Sequence, residues 1–268
     1  MSKNQHDLDQ RDYWNEIDDL VHVHKNAEGP LMKLANFAGS KIDSVFDKAP
    51  EGLEDKLQEI IKNSLELAFD VSNKVTSSDY MPNAPRHFHK IAATFSGAIG
   101  GVGGVVTSVA ELPVVIATMF ASFQSIAEEH GFDRNSHEIR MECLKVFTMG
   151  GPIQTDDNID MSFVSARIGL TSEVVKKLVA ETFPSKLITT ASQKLTAMIG
   201  QKLGAQVAPM LGALTGATLN YTFVSYYEQM AHIRFRLKKL QNENPSSDPV
   251  RDFLDKIKES YKMKESKS

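Results

Sequence analysis

The stretch from Gly52 to Val75, GLEDKLQEIIKNSLELAFDVSNKV, decides the fold class of this chain. Its apolar residues recur three and four positions apart, as they do on one face of a helix, while charged residues occupy the opposite face. The residues of the apolar face are Leu53, Leu57, Ile60, Ile61, Leu65, Ala68 and Val71. This spacing predicts an amphipathic helix that packs one face against a core.

The same periodicity predicts helices along most of the chain. Besides 53–75, they are expected near 11–27, 30–48, from about 86, and near 114–130, 136–148, 160–180, 184–200, 205–240 and 251–262. Gly131 is expected to end the helix at 114–130 as a left-handed cap, and Asn135 or Ser136 to cap the start of the next helix. No alternating apolar and polar run and no Asn-Gly or Asp-Gly turn indicates a β-hairpin. We therefore predict an all-α chain: a single helical domain of nine or ten helices, with glycine-rich central helices and a flexible polar C-terminal tail.

Composition and charge exclude several classes of protein. The 268 residues carry a net charge of −4, which supplies no overall basic surface for nucleic acid. The single cysteine, Cys143, excludes an intramolecular disulfide framework and is typical of a reducing compartment. The first residues, MSKNQHDLDQRDYWNEIDD, lack the apolar segment of a secretory signal, so we expect a cytoplasmic protein.

Two long stretches are almost free of charge, and both are rich in glycine. Between 91 and 127 only Glu111 is charged, and no residue is charged between 203 and 227. Both are long enough to cross a bilayer. Glycines four positions apart share one helix face and allow close approach of another backbone, either in a protein core or in lipid. The glycines assigned to helix packing are Gly97, Gly100, Gly101, Gly104, Gly200, Gly204, Gly212 and Gly216.

Two sequence motifs resemble the EcsC protein family. The first motif has a glycine-rich run, an acidic residue before Leu-Pro and a Gly-aromatic-Asp closure, in the stretch SGAIGGVGGVVTSVAELPVVIATMFASFQSIAEEHGFD. Its matching residues are Glu111, Pro113, Gly131, Phe132 and Asp133. The second, PMLGALTGATLNYTFVSYYEQMAHIRFRLKKL, matches at Gly212, Gly216, Ala217, Asn220, Tyr221, Ala231 and Phe235. The resemblance covers about 53–240. It departs from the family at Arg234, where a histidine is expected.

The resemblance implies a helical fold and suggests a function. Because the family is linked to an ABC transporter and exoprotein production, we expect a non-enzymatic accessory protein, peripheral to or partly inserted in the inner face of the cell membrane. Its partner would be the membrane surface or a membrane protein, with no nucleic acid and no cofactor. The expected organisation is an N-terminal helical extension at 1–29, an EcsC-like domain at 30–240, and a linker with a short charged amphipathic tail at 241–268.

Glu111 is the best candidate for a catalytic residue. As the one charge in a long apolar stretch, it could act as the acid or base of a hydrolase or peptidase. Alternatively, it caps the helix expected to start near Pro113. The histidine pairs His22/His24 and His87/His89 are two residues apart, which places each pair on different helix faces, and no metal site is expected.

The end of the last long helix is basic. Arg234, Arg236, Lys238 and Lys239 could contact anionic lipid head groups, form a solvated face, or stabilise the negative end of the helix. Within the same helix, Asn220 is expected to fix helix register by hydrogen bonding. Besides the accessory protein and the hydrolase, the third functional hypothesis is a helical interaction module that never contacts lipid.

Overall fold

The computed structural model of this chain describes residues 3–27, 29, 52–71, 105–149, 184–199 and 216–265. These residues contain seven helices and no strand, which confirms the all-helical prediction for this part of the chain. The helices are α1 Lys3–Ala27, α2 Leu53–Val71, α3 Val105–Glu129, α4 His137–Met149, α5 184–199, α6 Gly216–Glu243 and α7 Pro249–Glu265. The predicted total of nine or ten is not confirmed, because the helices expected near 30–48, 86–104 and 160–180 lie outside the described residues.

Helix α2 buries the apolar face that its sequence predicts. The side chains of Leu57, Ile61 and Leu65 are at most 1% exposed and face α3. Glu54 and Asp55 lie in the first turn, where the positive end of the helix dipole stabilises acidic side chains. Burial of each leucine or isoleucine contributes roughly 1.5–3 kcal/mol, so this face anchors α2 on α3.

Helix α3 contacts α2, α4 and α6. It contributes Phe123 to an aromatic cluster with residues of α4 and α6. The ring of Phe123 lies 4.9 Å from that of Phe147 on α4, which lies 5.7 Å from the ring of Tyr227 on α6. The buried hydroxyl of Tyr227 donates a hydrogen bond to the sulfur of Met198 on α5 at 3.0 Å, and burial raises the pKa of Tyr227. Four helices therefore meet at one set of rings.

Pro113 lies inside α3, so the predicted helix start near this residue is wrong. Its ring nitrogen has no hydrogen to donate to the carbonyl of Val109, a defect that costs about 3 kcal/mol in a helix interior. Burial of Leu112 and Ile116 on either side offsets this cost. The preference of proline for the first turn of a helix is thus outweighed by packing. Glu111 consequently lies within a helix and does not cap its N-terminus.

Helices α1 and α7 pack against each other and against α6. The hydroxyl of Tyr13 donates to the carboxylate of Asp252 at 2.5 Å, and burial together with that carboxylate raises the pKa of Tyr13. Phe253 and Ile257 of α7 are at most 2% exposed. The C-terminal segment is therefore packed into the core, in contrast with the flexible tail expected from its polar composition. The predicted domain boundaries at 29 and 240 stay a prediction.

Most glycines of the predicted packing motif lie outside the described residues. The exception is Gly216, the first residue of α6. The others are Gly97, Gly100, Gly101, Gly104, Gly200, Gly204 and Gly212. Close packing through these glycines therefore stays a prediction. Among the helices that the structure describes, none is both long enough and apolar enough to cross a membrane.

Candidate functional site

The candidate site begins where α3 ends. Gly131 has a left-handed backbone with φ of +84°, which glycine adopts without steric cost. Its N–H donates to the carbonyl of Glu128 at 2.9 Å, and the N–H of Phe132 donates to the carbonyl of Ala127 at 3.0 Å. These two bonds form a Schellman cap, which confirms the predicted role of Gly131 and fixes the direction in which the chain leaves α3.

The turn between α3 and α4 is held by its own polar side chains. The carboxylate of Asp133 accepts the N–H of Asn135 at 3.0 Å. The hydroxyl of Ser136 accepts the N–H of Ile139 at 3.2 Å, so Ser136 caps α4, one of the two caps that its sequence predicts. Asp133 therefore has a structural role here: it shapes the turn that starts α4.

The two sequence motifs meet in space at this turn. The ring of Phe132 lies 5.9 Å from that of Phe235 on α6, which is fully buried. Lys238 of α6 lies over the ring of Phe132, with its ammonium 5.8 Å from the ring centre. The Gly-aromatic-Asp closure after α3 and the basic, aromatic part of α6 thus form one continuous region.

Two histidines face each other beside this contact. Nε2 of His130, at the end of α3, lies 3.1 Å from Nδ1 of His232 on α6. Burial lowers the pKa of His130, and the neighbouring His232 and Arg236 lower it further, while Glu129 acts in the opposite direction. His130 is therefore neutral more readily than an exposed histidine. In the contact, one ring donates a hydrogen bond to the other.

A buried carboxylate joins α4 to α6. Oε2 of Glu142 lies 2.5 Å from both Nε and Nη2 of Arg234, and its Oε1 accepts a hydrogen bond from Lys145 at 2.8 Å. Burial opposes ionisation of Glu142, but Arg234 and Lys145 outweigh it and hold its pKa well below the usual range. We call these three residues the α4–α6 junction; one turn away, Lys238 pairs with Glu138, whose carboxylate is exposed.

A second, more exposed set of ion pairs joins α1 to α6. Nε of Arg236 lies 2.7 Å from the carboxylate of Glu16, and its Nη2 lies 2.7 Å from that of Asp19. The hydrogen bond to Glu16 outweighs burial and raises the pKa of Arg236. We call these three residues the α1–α6 junction. Of the four predicted lipid-facing cations, Arg234, Arg236 and Lys238 thus have acidic partners within the chain, and Lys239 is exposed.

The positions of several predicted site side chains relative to this region are not described. The side chains of Glu111, Asn220 and Tyr221 lie outside the described residues, although their backbones belong to α3 and α6. The acid–base role of Glu111 and the register role of Asn220 therefore stay predictions.

Comparison with known proteins assigns a family to this chain. The sequence profile of the EcsC protein family matches residues 14–240, from α1 to the last turns of α6. The chain belongs to the EcsC family. No curated protein and no solved structure matches it. The match begins within α1 and ends before α7.

Arg234 has a defined partner in this EcsC chain. The resemblance led us to expect a histidine at this position, and Arg234 instead forms the forked contact with Glu142. A guanidinium is charged at every accessible pH, so it holds the buried carboxylate ionised in a way that a neutral imidazole would not. This position in the EcsC chain therefore serves the attachment of α4 to α6.

Sequence reasoning missed Glu142 and His232. Each partner lies far along the chain, because Arg234 is 92 residues from Glu142 and His130 is 102 residues from His232. One local signal did point to Glu142: it stands between Met141 and Cys143, in a segment whose side chains are buried from Ile139 to Leu144. A charged residue in such a segment requires a partner.

The chemistry available at this site is limited by burial. Cys143 is fully buried, and burial and the adjacent Glu142 raise the pKa of its thiol, so it behaves as a core residue. The described residues contain no group of three or more His, Cys, Asp or Glu side chains arranged to hold a metal ion. His130–His232 is a titratable pair with an accessible edge, since both residues are half-buried.

Proposed function

We propose that this EcsC-family chain is a non-enzymatic accessory protein that attaches to the inner face of the cell membrane and serves a transport or secretion system. The observation that carries the proposal is an uncharged outward face on α3. Val114, Thr118, Ala121 and Ser125 follow one another at spacings of four, three and four, so they lie on one side of the helix. We call them the α3 strip.

The α3 strip is accessible and free of charge. Thr118 and Ser125 are exposed, while Val114 and Ala121 are half-buried. The strip extends over about 16 Å at 1.5 Å per residue. Surfaces of globular proteins usually intersperse charged residues at such positions. The four side chains of the strip therefore contain no ionised group that a membrane interface or a transmembrane helix would have to dehydrate.

The hydroxyls of the strip already have partners in their own helix. Thr118 donates to the carbonyl of Val114 at 2.8 Å, and Ser125 donates to the carbonyl of Ala121 at 3.2 Å. A hydroxyl with an internal acceptor costs less free energy to transfer from water than one that depends on solvent. The small side chains also permit close approach of a partner helix. Both properties support a contact with a membrane or a membrane protein.

The basic end of α6 plays a smaller part in this proposal than its sequence implied. Three of its four cations already form ion pairs with acidic residues of α1 and α4. Their charges are therefore partly neutralised before any lipid is met. We assign the main contact to the α3 strip and leave Lys239 as an auxiliary cation.

Flotation with phospholipid vesicles tests the proposal. The full chain is mixed with vesicles of phosphatidylethanolamine and phosphatidylglycerol and centrifuged through a density gradient. We expect the protein to float with the vesicles, and the variant Thr118→Glu/Ser125→Glu to remain at the bottom, because two carboxylates would have to leave water. Membranes pelleted from expressing cells and washed in neutral buffer provide the matching test in vivo, because alkaline carbonate would strip a surface-attached protein.

A matched control separates this effect from general charge. The variant Ser185→Glu/Gln193→Glu adds the same two charges at exposed positions of α5 and is expected to float like the parent. Circular dichroism and urea denaturation establish that both variants fold. A parent that stays unbound in vesicles and in washed cell membranes contradicts the proposal, and equal flotation of both variants removes the assignment to the α3 strip.

A further inference from the structure

The contact between His130 and His232 is a hydrogen bond whose length is also compatible with two nitrogen ligands of one metal ion. In tetrahedral zinc sites the metal–nitrogen distance is about 2.0–2.1 Å, which places neighbouring ligand nitrogens about 3.3 Å apart. Adjacent nitrogens in a square-planar site at the same bond length are about 2.9 Å apart. The observed separation of 3.1 Å between Nε2 of His130 and Nδ1 of His232 lies between these two values.

We propose that His130 and His232 form a two-imidazole site for a late first-row transition-metal dication, Cu²⁺ or Zn²⁺, completed by water. Imidazole nitrogen is a preferred ligand for both ions, whereas Mg²⁺ and Ca²⁺ require oxygen ligands. The two rings are held by different helices, α3 at its end and α6 along its length. A bound ion would therefore join these helices at the place where the two sequence motifs meet.

The protonation of the pair is compatible with this site. Without metal, the ring nitrogen of one histidine donates its hydrogen to the other. On binding, that hydrogen leaves the facing nitrogen, and the same ring takes up a proton on its second nitrogen, so two neutral rings bind the ion without net proton release.

The surrounding charges act equally on Cu²⁺ and Zn²⁺, since both ions are dications. Arg236 and Lys239 of α6 and Glu129 of α3 act on His130. The charge of Arg236 is offset by its ion pairs with Glu16 and Asp19 of α1. The remaining cation, Lys239, opposes a dication, while Glu129 attracts it. The preference for Cu²⁺ therefore rests on its stronger intrinsic affinity for imidazole, which follows the Irving–Williams order.

Isothermal titration of the full chain with Cu²⁺ supplied as its glycine complex tests the inference, with Zn²⁺ and Mg²⁺ in separate runs. We expect one equivalent of Cu²⁺ to bind at pH 7.5, Zn²⁺ to bind more weakly, and Mg²⁺ not to bind. His130→Gln and His232→Gln should each lower Cu²⁺ affinity at this equivalent at least tenfold. The electron paramagnetic resonance spectrum of the copper complex should lose one coupled nitrogen in each variant.

His22→Gln is the matched control, because His22 is exposed on α1 and its replacement removes one imidazole without changing the pair. It should bind Cu²⁺ like the parent. Circular dichroism shows whether each variant is folded. Equal Cu²⁺ affinity of the parent and the two pair variants, or a greater loss with His22→Gln, overturns the inference. Because the titration contains no lipid, it can fail while the membrane proposal stands, and the reverse also holds.

Discussion

Helix α6 is attached on two sides by ion pairs that differ in burial. At the α4–α6 junction the side chain of Glu142 is 2% exposed, and Arg234 contacts it at 12% exposure. At the α1–α6 junction the side chains of Glu16 and Asp19 are 35% and 58% exposed, and Arg236 is 25% exposed. Two arginines only two residues apart on one helix thus serve two very different electrostatic environments.

The difference shows why contact distance alone is a poor guide to stability. The ion pairs of both junctions are short, but water can replace a lost partner only at the α1–α6 junction. Removing one member of a buried pair leaves an uncompensated charge, which costs several kcal/mol, whereas exposed pairs contribute roughly 0–1 kcal/mol. The two junctions should therefore respond very differently to the same kind of substitution.

The largest effect is expected from Glu142→Gln. This variant keeps the shape of the side chain but leaves Arg234 and Lys145 without their negative partner in a buried position. We expect the free energy of unfolding to fall by about 3–5 kcal/mol. Urea denaturation measures it. Glu138→Gln, which removes the exposed carboxylate that pairs with Lys238, is the matched control, with an expected loss under about 1 kcal/mol.

Acid denaturation gives the same junction a pH signature. The folded-state pKa of Glu142 is depressed below its ordinary value of 4.5, so the unfolded chain takes up this proton first. The stabilisation is complete above about pH 4.5 and is lost as the pH falls below it. Glu142→Gln should remove this part of the acid dependence. A variant with the parent's acid profile would show that Glu142 does not contribute to it.

Arg234→His restores the histidine that the family resemblance led us to expect, and it should have an intermediate effect. At pH 8 the imidazole is neutral, so Glu142 loses a charged hydrogen-bond donor and the chain loses about 1.5–3 kcal/mol. Since Glu142 raises the pKa of the new imidazole, protonation should recover part of this loss as the pH falls to about 5.5. Urea denaturation at both values, with the parent beside it, distinguishes this from a simple packing defect, which would not recover.

Arg236→Gln should have a small effect at the α1–α6 junction. Because water can solvate Glu16 and Asp19, we expect a loss of roughly 0.2–1 kcal/mol at low salt. The loss should shrink in 0.5 M NaCl, since salt screens exposed pairs. Denaturation at two salt concentrations measures both. A loss as large as that of Glu142→Gln would remove the distinction between the two junctions.

The smallest effect is expected from Lys239→Gln. Lys239 is exposed and belongs to neither junction. Its replacement should change the free energy of unfolding by less than about 0.5 kcal/mol. This variant sets the baseline for α6, and a larger change in urea denaturation would mean that exposed charge on this helix has been underestimated.

The parts of this fold that depend on neighbouring residues were predictable from the sequence. The apolar face of α2 with Leu57, Ile61 and Leu65, the cap at Gly131 and the cap at Ser136 all follow from local rules and are confirmed. The predicted start of α3 was wrong. Proline favours the first turn of a helix, but burial of Leu112 outweighs that preference and keeps Pro113 inside α3.

The site was less predictable than the fold, because its polar contacts join distant parts of the chain. The motif residues Phe132 and Phe235 were identified separately, but no local pattern stated that their rings would meet. In the same way, Arg234 was singled out as a departure from the family while its partner Glu142 was not noticed. Local periodicity assigns residues to a face of a helix, and only the packing of helices decides which faces meet.

The arrangement of α1, α6 and α7 also has a consequence for the order of folding. Tyr13 and Asp252 are 239 residues apart, and closing a loop of that length costs about 5 kcal/mol of chain entropy. Once Arg236 and Glu16 have brought α1 to α6, however, α7 is separated from its docking place by the short turn at 244–248 alone. The pairing of α1 with α6 therefore bears the entropic cost, and the docking of α7 on α6 is a local event by comparison.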